Sequence, residues 1–320
     1  MPKDHVIGIL TFSMCSRAAV HGLIEMWEIA NIQAQAIGLQ DKILACEIDA
    51  ESQTSLESIE NQRFAAIICP PTTGTTSVEL AKPVGRLLIQ HARTGTIMCS
   101  VCGGAFILAQ TGLLDCRRVT THWSLGGNLK ERHPSIDVCT DELLIEEPDL
   151  ISAGGVMAWT QLGLRLIERC FGSDVMLATA KFMLIDPADR PQGYYATFAP
   201  RLDHGDLGVA DVQRWLHSVF GRSVTLDQMA ARARTSKRTF LRRFQKATGM
   251  NPTDYCQRLK VNRSRGLLER SDIPIDAIAV QCGYEDQNSY RKIFKRVVGI
   301  TPGEYRTRLA VAVPNRIAER

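Results

Sequence analysis

Hydrophobic residues in the first half of the chain gather in short, nearly uninterrupted runs with longer stretches of helical periodicity between them. The uninterrupted runs are rich in β-branched residues and lie at 6–12, 43–48, 65–70 and 96–101. Runs of this kind are typical of strands buried on both faces of a parallel sheet. Residues with helical spacing lie between and after them, at 20–37, 77–93 and 103–111. The alternation predicts a doubly wound, flavodoxin-like α/β domain with a parallel sheet.

Two further patterns follow this alternation. The segment 142–155 predicts a hairpin or another pair of strands. Residues 156–172 have the spacing of an amphipathic helix, and Gly172 is the predicted end of that helix. A second helix is predicted at about 174–185, before the proline at position 187.

A change in composition marks the predicted domain boundary. Residues 186–208 are rich in proline, glycine and aspartate and show little periodicity, which is typical of a connecting segment. The chain after this segment has helical spacing and no convincing strand. We therefore expect an α/β domain, a linker and an all-helical domain, at 1–190, 191–208 and 209–320 respectively.

The helical domain contains an internal repeat. Residues 229–255 match residues 278–305 at an offset of fifty in their second halves and forty-nine in their first halves. The second copy therefore has one extra residue between its halves. The matched positions are Phe240 and Tyr290, Phe244 and Phe294, Gly249 and Gly299, Pro252 and Pro302, and Tyr255 and Tyr305. Repetition over this length indicates a duplicated supersecondary structure.

Each copy has the signals of a helix, a tight turn and a second helix. Thr225 and Gln228 predict a capping box at the start of the first copy. Ser236 and Asp286 are the predicted N-caps of the two second helices. A glycine then ends each second helix, and a proline three positions later opens the next one. This is the plan of a helix-turn-helix unit, and it occurs twice.

One face of each second helix is polar and basic, opposite the aromatic positions. Arg238 and Arg242 correspond to Asn288 and Lys292, fifty positions later. Arginine pairs with guanine edges and asparagine with adenine edges, whereas the remaining cations mostly meet phosphates. The alternative is an ordinary solvated charged face. The predicted DNA-binding residues are Ser236, Lys237, Arg238, Thr239, Arg242, Gln245, Lys246, Gln287, Asn288, Ser289, Arg291, Lys292, Lys295 and Arg296.

The charge distribution favours nucleic acid as a partner. Residues 209–320 contain 22 Lys and Arg against 10 Asp and Glu, and the rest of the chain is net acidic although the total is only +4. A basic module joined to an acidic one is typical of a DNA-binding protein with a separate sensing domain. The ten cysteines are scattered through apolar surroundings, which favours buried thiols in a reducing compartment over a disulfide framework. No apolar run is long enough to span a membrane, and no signal peptide is evident. We expect a cytoplasmic protein that requires no metal or cofactor.

Residues 209–308 strongly resemble the AraC/XylS family of transcription regulators. The resemblance rests on SKRTFLRRFQKATGMNPTDY and on IAVQCGY followed by FKRVVGITPGEY. It implies that the two second helices enter successive major-groove faces of one duplex, bridged by a long helix at 252–270. Two such helices would fit one face of a duplex if they lay about one helical turn of DNA apart, ~34 Å.

The α/β domain contains a candidate nucleophile. Cys102 follows the strand-like run 96–101 and precedes Gly103 and Gly104, so it lies where a helix begins. A helix N-terminus lowers the pKa of a thiol, and His122 lies twenty positions further on as a candidate partner. The alternative is a small buried cysteine beside a core histidine.

Residues 5–185 resemble the ThiJ/PfpI superfamily, which has the class I glutamine amidotransferase-like fold, and the whole chain resembles GlxA-type regulators. In the enzymes of the superfamily the cysteine at this turn is the nucleophile, and a carboxylate contacts it. Here Ala19 takes the place of the carboxylate, and Glu25 matches a different family position. Pro70, Pro71 and Thr72 replace a Gly-Gly turn, and Pro71 has no N–H to offer as an oxyanion donor.

We therefore expect a regulator rather than an enzyme. Its first domain is expected to form a homodimer and to bind a small effector, such as an amino acid or a quaternary amine. The aromatic candidates for a cation cage are Trp27, Trp123 and Trp159. Double-stranded DNA, and RNA polymerase during activation, are the expected macromolecular partners. The candidate pocket residues are Cys102, Gly103, His122, Glu25 and Thr72.

Two alternatives remain open for Cys102. One is a ThiJ/PfpI-type hydrolase or glyoxalase in which Cys102 attacks the substrate. The other is a redox sensor whose thiol is oxidised to change DNA affinity.

Overall fold

A computed structural model describes residues 3–72, 82–187, 192–219 and 224–310. The chain divides into two compact units, one ending at Gln192 and the other beginning at Gly193. Within the described ranges no helix is both long and apolar enough to cross a membrane.

The first unit is built on a six-stranded sheet with the strand order β2-β1-β3-β4-β8-β7. Five neighbouring strands are parallel, and β7 runs antiparallel to β8. The four predicted strands and the predicted strand pair are thereby confirmed. A separate two-stranded sheet pairs β5 with β6. The strands are β1 Asp4–Thr11, β2 Lys42–Asp49, β3 Ala66–Cys69, β4 Ile97–Val101, β5 Arg118–Val119, β6 Asp137–Val138, β7 Leu144–Glu146 and β8 Leu150–Ala153.

The large sheet is covered by helices on both faces. Ile68 packs into one hydrophobic core with α1, α6 and α7, whereas its neighbour Ile67 packs into a second core with α2 to α5. All four residues of β3 are buried, as the uninterrupted apolar run predicted. The predicted doubly wound α/β class is confirmed. These helices are α1 Arg17–Ala36, α2 Gln53–Ser58, α3 Lys82–Arg93, α4 Gly104–Ala109, α5 Gly126–Arg132, α6 Trp159–Phe171 and α7 Ser173–Phe182.

Glycine positions two of these helices. Gly172, with φ +87°, ends α6 at the predicted residue. Gly22 of α1 faces the indole of Trp159, and a Cβ placed on it would lie 2.4 Å from the ring. The predicted helix 77–93 is observed from Lys82, and its first five residues lie outside the described ranges.

The second unit is all helical. Tyr255 and Phe240 belong to a core around the first helix-turn-helix unit, and Tyr290 and Leu268 belong to a core around the second. Helix α11 contributes Tyr255 to one core and Leu268 to the other, so it joins the two. The helices are α8 Leu207–Ser218, α9 Leu226–Arg232, α10 Lys237–Thr248, α11 Pro252–Arg270, α12 Ile275–Gln281, α13 Gln287–Val298 and α14 Pro302–Leu309.

The segment predicted as a linker packs against these helices from residue 193 onward. Tyr194 is 5% exposed and lies in the second core. The buried guanidinium of Arg265 donates hydrogen bonds to the carbonyls of Gly193, Tyr194 and Ala196. These contacts satisfy backbone oxygens that a free linker would leave to water.

Candidate nucleic-acid interface and effector pocket

Each helix-turn-helix unit has a short turn with one residue in the left-handed region. Four residues separate α9 from α10, and five separate α12 from α13, which is the extra residue of the second copy. The left-handed residues are Arg234, with φ +52°, and Gly283, with φ +73°. They lie forty-nine positions apart, which is the offset found in the sequence. The two copies therefore have the left-handed residue at equivalent positions of their turns.

The predicted caps are present at both ends of the second helices. Ser236 accepts a hydrogen bond from the Thr239 N–H at 3.4 Å, and Asp286 accepts one from the Ser289 N–H at 2.8 Å. Gly249 has φ +72° and Gly299 has φ +91° at the helix ends. The hydroxyl of Ser289 also donates to Asp286, at 2.6 Å. The hydroxyls of Ser236 and Ser289 are therefore already engaged in starting the helices.

The polar and basic face of each second helix, α10 and α13, is exposed, and we call it the reading face. The opposite face of each helix carries buried aromatic residues. Phe240 and Phe244 of α10, like Tyr290 and Phe294 of α13, are 0% exposed. Thr239 is half-buried, and the other predicted residues on both helices are exposed. Helix α11 has 19 residues, a length of about 28 Å, so its two ends are separated by a distance close to one turn of DNA.

Ion pairs divide the predicted residues into two groups. Lys237 pairs with Asp227 at 2.7 Å, Arg291 with Asp276 at 2.9 Å, and Arg296 with Asp254 at 3.8 Å. Gln245 donates to the Gly249 carbonyl at 3.0 Å. The three ion pairs join neighbouring helices, whereas the Gln245 hydrogen bond lies at the C-terminus of its own helix α10. In the part of the chain that the structure describes, no ion pair is formed by Arg238, Arg242, Lys246, Lys292 or Lys295.

Two basic residues outside the predicted set have structural contacts. Arg243 of α10 donates to Asp206, the N-cap of α8, with Nε 2.8 Å from the carboxylate. Lys260 of α11 donates to the Gly283 carbonyl at 2.7 Å and lies 5.1 Å from the centre of the Tyr284 ring. Composition alone could not separate these cations from those that face outward.

In the first unit, Cys102 lies at a strained turn between β4 and α4. Its φ is +53°, in the left-handed region that non-glycine residues rarely adopt. Its N–H donates to the Ala153 carbonyl at 2.7 Å, and its carbonyl accepts from the Thr121 hydroxyl at 2.7 Å. A Cβ on Gly104 would lie 2.1 Å from the Cys69 carbonyl oxygen. The turn is therefore fixed by neighbouring strands, and we call residues 101–104 the elbow.

The predicted lowering of the Cys102 pKa is wrong. Burial raises the pKa of the thiol, and the hydrogen bond from the Gly103 N–H acts in the opposite direction but does not outweigh it. The side chain is 4% exposed, and α4 has only six residues. Loss of hydration exceeds the effect of a short helix N-terminus, so the thiol is protonated at neutral pH.

The contacts of His122 are with Ser124 and Trp123. Its Nδ1 lies 2.7 Å from the Ser124 hydroxyl oxygen, and its ring centre is 5.2 Å from that of Trp123. Burial lowers the pKa of His122, which keeps the imidazole neutral at pH 7. Among the described residues no hydrogen bond joins His122 to Cys102. The candidate Cys–His pair is therefore not hydrogen-bonded in the described residues.

Thr72 and Gly103 do lie together at the elbow. The Thr72 hydroxyl oxygen is 2.2 Å from the position that a Cβ on Gly103 would occupy. Thr72 also bridges to Cys15, and the Ser16 N–H donates to the Pro71 carbonyl at 2.8 Å. The loop after β3 is thereby held against the start of α1.

Glu25 is not placed with these residues. It lies on the exposed side of α1, and the described residues include no hydrogen bond from it to the elbow. Ala19, at the predicted carboxylate position, is 0% exposed. Trp27 and Trp159 belong to the core at 1% and 8% exposure, which leaves Trp123 as the aromatic candidate beside the elbow.

Sequence analysis missed Gln192, which is 2% exposed. Its side-chain amide accepts from the Trp123 N–H and donates to Thr120 and to two backbone carbonyls. A glutamine in a segment rich in proline and glycine gives no periodic signal. Its burial follows from acceptors supplied by distant parts of the chain.

Comparisons with known proteins agree with this architecture. Residues 8–169 match the family model described as the DJ-1/PfpI family. The chain belongs to the DJ-1/PfpI family. Residues 229–308 match a model described as a helix-turn-helix domain. An AraC-type helix-turn-helix domain follows the DJ-1/PfpI domain, the architecture of a transcription regulator, and the resemblance to GlxA-type regulators is confirmed.

The relatives include named transcription regulators. The chain is 26% identical over 224 residues to the HTH-type transcriptional regulator ArgR of Pseudomonas aeruginosa, a match that covers 70% of this chain and 68% of that protein. It is 27% identical over 221 residues to the HTH-type transcriptional regulator GlxA of Rhizobium meliloti, which covers 68% and 67% respectively. Matches of this kind span 59% to 68% of the relatives' own lengths.

A solved structure resembles the second unit in sequence. The DNA-binding domain of AdpA in complex with a target DNA is 34% identical over 32% of this chain and 91% of that chain, with a TM-score of 0.31.

Proposed function

We propose that this protein is an effector-responsive transcription regulator that acts in the cytoplasm. The second unit binds double-stranded DNA, and the first binds a small metabolite and forms a homodimer. The observation that carries the proposal is the repeated reading face: two capped helices present corresponding polar residues opposite buried aromatic cores. A solvated face with no partner would not require the same positions, caps and turn conformation twice.

The cations without an ion pair, together with Asn288, are expected to divide into residues that contact bases and residues that contact phosphates. Arg238 and Asn288 are one position after the start of their helices, where side chains reach base edges in a helix-turn-helix complex. Lys246 and Lys295 lie nearer the helix ends and are expected to meet phosphates. Lys237, Arg291 and Arg296 make ion pairs within the unit, so we expect smaller losses of affinity on their removal.

This assignment is tested by recovering the binding sites through genome-wide mapping and measuring which base each variant prefers at every position of those sites. Arg238→Ala and Asn288→Ala should each weaken binding to the preferred site by ~1–3 kcal/mol and relax preference at different base pairs. Arg201→Ala removes the same charge from a residue 57% exposed and paired with Asp203, so it is the control. Variants that retain every wild-type base preference would refute the assigned face.

The elbow supports binding rather than catalysis. The Cys102 thiol is buried with a raised pKa, His122 is not hydrogen-bonded to it, and Ala19 stands in place of a carboxylate. Nucleophilic catalysis requires an activated thiolate and a base within reach. We infer that the region around Cys102, Gly103, His122 and Thr72 receives an effector without turning it over.

Two assays separate this proposal from its alternatives. Turnover of methylglyoxal or of amide substrates that disappears in Cys102→Ala would establish an enzyme. A peroxide-dependent change in DNA affinity that disappears in the same variant would establish a redox sensor. The proposal expects neither result. It also expects dimers in sedimentation equilibrium, and it leaves contact with RNA polymerase to be tested by activation assays.

A further inference from the structure

Gln192 fills a polar cavity beside the elbow. It is the last residue of the first unit and is almost fully buried. Its backbone N–H donates to the Asp141 carbonyl at 2.9 Å. Its side-chain Oε1 accepts from the Trp123 N–H at 3.1 Å. Its Nε2 lies 2.9 Å from each of three acceptors, the Thr120 hydroxyl, the Thr121 carbonyl and the Glu142 carbonyl.

The cavity lies at the carboxyl ends of the parallel strands. Gly154 directly follows β8, and a Cβ on it would lie 1.8 Å from Gln192 Nε2, so the backbone approaches the amide as closely as glycine permits. Thr121 is hydrogen-bonded to the carbonyl of Cys102, and Trp123 stacks with His122. This edge of an open α/β sheet is where ligands bind. Gln192 therefore occupies a position that a ligand would take.

The acceptors around Nε2 outnumber its hydrogens. An amide nitrogen carries two hydrogens, and here it faces three acceptors. The Thr120 hydroxyl donates to the Glu142 carbonyl at 2.7 Å, so toward Nε2 it can act only as an acceptor. A primary ammonium group carries three hydrogens and a positive charge. It would satisfy all three oxygens, whereas a quaternary ammonium would satisfy none.

We propose that the Gln192 side chain is a tethered occupant of an amine-binding subsite, and that an effector with a primary ammonium group displaces it. The inference rests on the proposed function and deepens it, because it selects a primary amine over a quaternary one. The neutral His122 beside the subsite adds no positive charge to oppose the ligand.

Displacement changes how the chain is held at the unit boundary. Gln192 is anchored in the first unit, and the next residues are anchored in the second by Arg265, through the carbonyls of Gly193, Tyr194 and Ala196. When the side chain leaves, its four hydrogen bonds to the first unit are lost, and only the backbone hydrogen bond to the Asp141 carbonyl still holds residue 192 there. An effector that binds only the released form shifts the population toward it.

Chemical complementation of full-length Gln192→Ala tests the subsite. This variant lacks the amide, and the probes are methylammonium, acetamide and tetramethylammonium chloride at matched ionic strength. We expect methylammonium to raise the Tm of the variant and to bind roughly threefold to tenfold more tightly than acetamide, because its three hydrogen bonds are charge-assisted, whereas acetamide donates two neutral ones and accepts one from the Trp123 N–H. Tetramethylammonium should have no effect, and wild type should respond to none. Gln161→Ala, on α6, is the matched control.

Two results would overturn the inference. One is acetamide binding as tightly as methylammonium, because the positive charge and third hydrogen of the ammonium would then give no advantage at the three oxygens. The other is no response of the variant to either probe. Gln192→Ser, which leaves similar space, takes the place of the alanine variant if that protein does not fold.

The coupling is tested on DNA with Gln192→Leu, which fills the space and offers no hydrogen bond. Hydrogen exchange in residues 192–196 should rise, and affinity for a mapped site should change at least about threefold relative to Gln161→Leu. Unchanged exchange and affinity would refute the coupling. A Gln192→Ala variant that binds DNA through the reading faces but does not respond to methylammonium would refute this inference and leave the proposed function standing. Protein that binds amines but not DNA would do the reverse.

Discussion

Asp206 joins the start of the helical unit to the first reading helix, and its removal makes a quantitative test. Its carboxylate accepts from the Val209 N–H at 3.1 Å, which caps α8, and from Arg243 Nε of α10 at 2.8 Å. Asp206→Ala removes both interactions. Asp206→Asn keeps an acceptor suited to the cap and removes the charge.

The size of the effect follows from the geometry. The hydrogen bond from Arg243 is the main cause that lowers the pKa of Asp206 from 3.8 to about 2. A shift of that size corresponds to about 2 kcal/mol at neutral pH. The two side chains are 21% and 38% exposed, so screening reduces the pair to about 1 kcal/mol. The cap adds about 1 kcal/mol. We expect a loss of about 2 kcal/mol in Asp206→Ala and about half of that in Asp206→Asn.

Hydrogen exchange of α8 and α10 across a urea series measures this local free energy of unfolding in the full chain. Asp203→Ala is the control, because that carboxylate is 72% exposed and solvent screens its pair with Arg201. The pKa is depressed on folding, so the stabilisation is present above pH ~4 and is lost as the pH falls through about 2. If Asp206→Ala costs no more than the control, or if its effect does not shrink in acid, the reasoning is refuted.

Two further predictions concern the first unit. Iodoacetamide at pH 7 should alkylate the exposed Cys116 well before the buried Cys102, whose pKa burial raises; peptide mass spectrometry measures both in one sample, and equal rates would contradict the assignment. Gly22→Ala should lower the free energy of unfolding by ~1–3 kcal/mol, because its Cβ would meet Trp159 at 2.4 Å. Gly85→Ala, in α3 with nothing within 4 Å of the added carbon, should instead stabilise by up to ~1 kcal/mol. Urea denaturation compares the two, and equal signs would refute the packing.

Much of the helical unit could be predicted because its signals are local. Ser236 and Asp286 cap their helices through atoms two or three residues away, and Gly249 and Gly299 end them through their own backbone conformation. Such interactions are encoded within a few positions. The buried strands were equally clear, because β3 is apolar on both faces.

The pocket was predicted less well because it depends on distant contacts. The pKa of Cys102 is set by burial between strands and helices, which outweighs the local effect of α4. Glu25 has helical spacing compatible with either face of α1, and the packing of Trp159 and other residues places it outside. Gln192 is buried by acceptors about fifty to seventy positions away in the sequence. No local pattern contains that information.

We propose that the two reading helices contact one duplex about a helical turn apart. Hydroxyl-radical footprinting of wild-type protein on its strongest mapped site tests it most directly. We predict two protected segments separated by ~34 Å on one face of the DNA. Arg238→Ala with Arg242→Ala should weaken one segment, and Asn288→Ala with Lys292→Ala should weaken the other. A single protected segment, or two that respond identically to both pairs of substitutions, would contradict the account.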